Sequence, residues 1–92
     1  MLKLSGEALS GDQESGLDHP ALMTIAQEIK AVHSTGTQVA IVVGGGNIWR
    51  YRDTTDSGIE RTASDAIGML ATIMNGVALQ SALESLNCHT RV

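Results

Sequence analysis

Residues 39–43, five apolar residues of which four are β-branched, run without a break into three consecutive glycines at 44–46. No other stretch restricts the fold as much. A short apolar run without alternation reads as a strand buried on both faces, as in a parallel sheet. Such a strand hands over to a crossover at its C-terminal end, where ligands of open α/β sheets bind. Glycines there remove the side chains and leave a row of bare N–H groups, which suits an anion. Arg50, four residues past the last glycine, adds a forked positive charge. A tight turn is the plainer reading, but three adjacent glycines cost more chain entropy than a turn requires. The expectation is a phosphate-binding corner.

The flanking pattern supports an α/β chain. Residues 1–4 read as the tail of a strand, residues 5–8 as a turn, and residues 9–18 as a mobile surface loop. Asp18-His19-Pro20 starts a helix, whose apolar face is Leu22, Ile25, Ala26, Ile29 and Val32 and whose stop is Gly36. Strand, helix and strand in that order predict a right-handed crossover. Residues 47–50 suit a short helical turn and residues 51–58 a loop. Ser57-x-x-Glu60 and Thr62-x-x-Asp65 are overlapping capping boxes before a helix reaching Leu86. At 1.5 Å per residue that helix is about 40 Å long. Its uncharged middle would be wet in isolation, so it calls for a larger body or a partner subunit. Residues 87–92 resemble the first half of another strand, and both ends read as cut.

Ninety-two residues suit one small domain or a piece of a larger one. With no Phe and only two aromatics, the core must come from Ile, Leu, Val, Met and Ala. A net charge of −4 argues against non-specific nucleic-acid binding. It leaves room for a phosphorylated small molecule, which needs only a few local cations. The single Cys88 excludes an internal disulfide and a multi-cysteine metal site, and reads as a buried small residue. Residues 66–83 lack charge, yet Gly68, Thr72, Asn75, Gly76, Gln80 and Ser81 make them too polar for lipid. A cytoplasmic setting without membrane attachment is the default.

Among candidate chemical groups, the glycines miss the dinucleotide-binding fingerprint, because Trp49 stands at the third glycine position, and no Gly-Lys pair offers a Walker A loop. Lys3, at a strand's C-terminal end, reaches transferred phosphate oxygens or is a solvated edge lysine. Arg50 serves phosphate or the surface. Asp65 accepts hydrogen bonds from ligand hydroxyls, or only complements a helix dipole for about 0.3–1 kcal/mol. His19, His33 and His89 have no metal-ligand spacing, and the pairs Asp12/Glu14 and Asp53/Asp56 read as solvated loop charges.

Four stretches taken together resemble the bacterial UMP kinases (uridylate kinases) of the amino acid kinase superfamily. They are Leu2-Lys3-Leu4-Ser5-Gly6-Glu7-Ala8-Leu9, Ala26-Gln27-Glu28-Ile29-Lys30, Gly44-Gly45-Gly46-Asn47-Ile48-Trp49-Arg50 and Gly68-Met69-Leu70-Ala71-Thr72-Ile73-Met74-Asn75-Gly76. Their order and spacing also fit, so the likeness covers nearly the whole chain. It departs at Trp49-Arg50-Tyr51, where the family usually has Phe-Arg-Gly. The resemblance implies a three-layer α/β/α sandwich with a mainly parallel sheet, of which residues 1–92 are the UMP-binding N-terminal part. It implies phosphoryl transfer from ATP, with Mg2+, to UMP, in a cytoplasmic homohexamer open to an allosteric GTP or UTP. Lys3, Leu4, Ser5, Gly6, Gly46 and Arg50 would then meet the ATP phosphates, with Lys3 and Arg50 catalytic. Gly45 and Asp65 would hold UMP, and residues 11–16 would correspond to a regulatory nucleotide region. No protein metal ligand is implied. A carboxylate or carbamate kinase of the same superfamily and a non-catalytic assembly module are the alternatives.

Overall fold

Two three-residue strands, β1 (Leu2–Leu4) and β2 (Ile41–Val43), pair in parallel. Helix α1 (His19–His33) crosses between them, and helix α2 (Arg61–Ser85) follows the glycines. This is a computed structural model, and it describes residues 1–13, 15–50, 53 and 57–92. The readings of Glu14, Tyr51, Arg52 and Asp56 lie outside the described residues.

The register sets Leu2 against Ile41, Lys3 against Val42 and Leu4 against Val43. Hydrogen bonds from Leu2 N to Ala40 O (2.6 Å) and from Gly44 N to Leu4 O (3.2 Å) extend the pairing at both ends. Alternate residues of a strand point to opposite faces. Leu4, Ile41 and Val43 are therefore on the covered face, and Lys3 and Val42 on the other. Val42 is 49% exposed, so within these 92 residues one face of the strand is uncovered. The two helices pack on each other and lie over the first face, so the second stays open.

α1 begins as its residues dictate. Asp18, in an extended conformation, accepts from Ala21 N at 3.0 Å, and Pro20 sits in the first turn, where its missing N–H is harmless. The helix ends at His33, and Gly36 follows with φ 90°, a left-handed conformation that suits glycine. Ala26 and Ile29 pack on Leu79, Ala82 and Leu83 of α2 and on Cys88, with Leu4, Leu22, Ile25, Val39 and Ile41 around them. Val32, one turn further along α1, falls outside this core and is 50% exposed.

α2 buries one stripe with two consecutive uses. Leu79, Ala82 and Leu83 complete the core, while Ser64, Ala71 and Asn75, nearer its start, face the turns after β1 and β2. Its other side is wet, as expected: Met69, Leu70, Ile73, Met74 and Val77 are each at least half exposed. By length and composition alone α2 could cross a bilayer, a test that the packed helices of soluble proteins also pass. Its start departs from the capping-box reading. Glu60 occupies the N-cap position without a side-chain cap bond, and Thr62 is already helical. Ser57 is occupied elsewhere, donating to Asp53 O and accepting from Ile59 N.

Three further expectations change. The segment read as a mobile loop is tied down: Leu9 and Ser10 are buried, Asp18 N donates to Leu9 O and Gly16 N donates to Asn47 O. Asp53 is half-buried and accepts from Arg50 N at 2.9 Å, so it is not simply solvated. Residues 87–92 form no strand: they make no ladder hydrogen bonds with β1 or β2, and Val92 comes back against α2 at Gly76.

Candidate functional site

β1 and β2 end side by side, and the chain leaves both through glycine. At that edge a cleft of about 520 Å³ opens, lined by residues 3–6, 42–44 and Gly46. Lys3 comes from the open sheet face. Ser5 caps the 3₁₀ turn Gly6–Ser10 by accepting from Glu7 N at 3.2 Å.

The glycines here divide into two kinds. A Cβ on Gly6 would stand 2.7 Å from Gly44 O and 2.8 Å from both Gly46 N and Asn47 Oδ1. One on Gly45 would stand 2.9 Å from Ala71 Cβ and 3.0 Å from both Gly68 O and Thr72 N. These two glycines allow backbone to pack on backbone. Gly44 and Gly46 face no such crowding, their nearest neighbours being 3.8 and 3.7 Å away. None of the four has a positive φ. Among the described residues, neither close packing nor a positive φ therefore requires glycine at 44 or 46.

The carbonyls of the corner are all engaged. Gly44 O accepts from Asn75 Nδ2 at 2.7 Å, Gly45 O accepts from Ile48 N and Trp49 N at 3.0 Å, and Gly46 O accepts from Arg50 Nε at 2.5 Å. The N–H groups of Gly6, Gly45 and Gly46 meet no acceptor among the described residues. Backbone donors are seldom left without a partner. Clustered at the end of parallel strands, such donors form an anion-binding concavity.

The proposed site residues divide accordingly. Lys3, Leu4, Ser5, Gly6 and Gly46 line the cleft. Gly45 lies behind it against α2. Arg50 is near but already engaged, bonded to Gly46 O and paired with Glu7 Oε1 at 3.5 Å, and it does not line the cleft. Asp65 is exposed in the second turn of α2. It precedes Gly68 by three residues and so shares the helix face whose Gly68 carbonyl meets Gly45.

Two features were not read from the sequence. Asn47 and Asn75, 1% and 0% exposed, form a reciprocal amide pair with bonds of 3.1 and 2.6 Å. A polar residue four positions from both Ala71 and Leu79, on the buried stripe of an apolar helix, was the available signal. The second is Trp49, whose Nε1 donates to the buried Ser64 Oγ at 2.7 Å and ties the glycine turn to the start of α2. Trp49→Phe is expected to cost about 1 kcal/mol by losing this bond. Ser64→Ala should cost a similar amount, and the double variant in chemical denaturation should lose clearly less than the sum.

Comparisons with known proteins agree with this geometry. The model of the amino acid kinase family matches residues 1–92. The uridylate kinase of Limosilactobacillus reuteri (strain DSM 20016) is 56% identical over all 92 residues, and that of Roseobacter denitrificans 53%. The chain spans 38% of the length of each. The crystal structure of UMP kinase from Bacillus anthracis superposes with a TM-score of 0.84 at 40% identity, over 91% of this chain and 34% of that one. UMP kinase from Ureaplasma parvum gives the same score and identity, over 94% and 38%. With its parallel pair, its glycine corner and a family match from the first residue to the last, the chain belongs to the amino acid kinase family.

Proposed function

We propose that this chain is the acceptor side of an enzyme that transfers a phosphoryl group from ATP to UMP, giving UDP and ADP. The observation that carries this is the set of amides at Gly6, Gly45 and Gly46 that meet no acceptor among the described residues, at the strand ends where Lys3, Gly6 and Gly46 line the cleft. The identity to uridylate kinases selects the substrate. Phosphoryl transfer asks a protein mainly to position two anions and to stabilise spread negative charge. A UMP phosphate is already mostly ionised near neutral pH, its second pKa being about 6, so the acceptor needs little help from a base. The amide of Gly45 holds UMP. The amides of Gly6 and Gly46, with Lys3, hold the phosphates of ATP. Arg50 braces the turn through Gly46 O and brings its charge alongside. Asp65 accepts from the ribose hydroxyls of UMP.

Mg2+ belongs to this proposal as ATP's companion. The phosphates would be its main ligands. The remaining length of the relatives would complete the three-layer sandwich and supply the rest of the ATP site. A cytoplasmic homohexamer, assembled through surfaces such as the exposed side of α2 and regulated by GTP or UTP near residues 11–16, completes the proposal.

The test joins this chain to the remaining C-terminal length of the Limosilactobacillus reuteri uridylate kinase and measures UDP formation. Activity with UMP and ATP is expected. In that chimera Asp65→Asn should raise KM for UMP about tenfold, a loss of roughly 1.4 kcal/mol, and leave KM for ATP nearly unchanged. Equal effects on both substrates would return Asp65 to a helix-start role.

A further inference from the structure

The geometry points to Asn75 as a positioning residue that aims the Gly45 amide at the acceptor phosphate, with Asn47 as its support. The inference rests on the function proposed above. A trans peptide carries its C=O and the following N–H on opposite sides of one plane. Asn75 Nδ2 holds Gly44 O at 2.7 Å, so the Gly45 N–H of the same peptide is turned away from Asn75. That N–H has no acceptor among the described residues.

Asn75 has little freedom to do anything else. Its second amide hydrogen goes to Asn47 Oδ1, and its own Oδ1 accepts from Asn47 Nδ2. The second hydrogen of Asn47 goes to Gly16 O at 2.8 Å. All four amide hydrogens of the pair are used, and both side chains are buried. A fully satisfied buried network is rigid, and a partly satisfied one is costly. The pair is thus a fixed strut running from the segment at Gly16, through the glycine turn, to the middle of α2. In phosphoryl transfer a misplacement of about 1 Å costs roughly 100-fold, so holding one peptide plane in place has a kinetic consequence.

Two isosteric substitutions separate positioning from general support. Both put a carboxyl into the same buried pair, but only Asn75→Asp removes the donor to Gly44 O. Asn47→Asp gives up the bonds to Gly16 O and to Asn75 Oδ1, and leaves Asn75 Nδ2 still able to reach both Gly44 O and the new carboxyl. In the chimera, at a temperature where circular dichroism shows every variant folded, Asn75→Asp should lower kcat/KM for UMP about 100-fold. KM for UMP should rise while KM for ATP stays within about threefold. Asn47→Asp, which weakens the support but keeps the donor to Gly44 O, should lower kcat/KM for UMP by about tenfold, clearly less than Asn75→Asp. Equal losses in the two variants, or equal effects on the two substrates, would overturn the positioning role and leave a structural amide pair. A parent chimera without UMP activity would instead overturn the function on which the role rests.

Discussion

Replacing Gly6 with alanine lowers the melting temperature by about 10 °C or more. The added Cβ lies 2.7 Å from Gly44 O and 2.8 Å from Gly46 N, both backbone atoms, and 2.8 Å from Asn47 Oδ1, which is locked in the buried amide pair. No flexible side-chain end is there to give way. Overpacking of this kind costs about 1–3 kcal/mol and more when backbone must move. In a domain of this size each kcal/mol shifts the midpoint by roughly 4–8 °C. Gly45→Ala meets Ala71, Gly68 and Thr72 at 2.9–3.0 Å and should behave similarly, pushing β2's exit away from α2. Thermal melts followed by circular dichroism read both. A parent-like midpoint for Gly6→Ala would mean that the two strand exits are not in contact.

The opposite result is expected one position to either side of Gly45. Gly44→Ala and Gly46→Ala keep the parent's melting temperature, or raise stability by up to about 1 kcal/mol by restricting the unfolded chain. Neither position has a positive φ, and neither Cβ approaches another atom closer than 3.7 Å. Activity of the chimera nevertheless falls about 100-fold. The Cβ on Gly44 would stand 3.8 Å from Gly6 N, within the space that an anion bound to that amide needs. Stable but inactive variants at 44 and 46, against unstable ones at 6 and 45, make up one pattern. Full activity in Gly44→Ala and Gly46→Ala would remove the ligand reading of the corner.

Much of this was legible in the sequence because it depends on local periodicity. The apolar face of α1, its Asp18 cap, the Gly36 stop, the parallel strands and the glycine corner all follow from residues a few positions apart. What was not legible depends on atoms brought from far along the chain. Residues 44–46 look alike in sequence, and only β1 on one side and α2 on the other give Gly45 a different task from its neighbours. Asn75 reads as one polar interruption of an apolar helix until Asn47, 28 residues earlier, is set against it. The capping boxes failed for a related reason: Ser57 found Asp53 O and Ile59 N close at hand, and the helix began at Arg61 instead. Val42 sits in an apolar run that promises burial, and among the described residues no helix covers the face it shares with Lys3. That open face is where the cleft lies. Arg50 was placed near the phosphates by spacing alone, and spacing could not foresee its bonds to Gly46 O and Glu7.

The central claim is that the amides of this corner receive a phosphate. It is tested most directly by titrating the isotopically labelled chain with UMP and, separately, with uridine, and following its amide resonances by NMR. UMP should move the Gly45 amide signal in a saturable way, and added ATP should move those of Gly6 and Gly46. Uridine, which lacks the phosphate, should leave the Gly45 signal in place. Equal Gly45 shifts with UMP and uridine, or UMP shifts that avoid Gly45, would contradict the account.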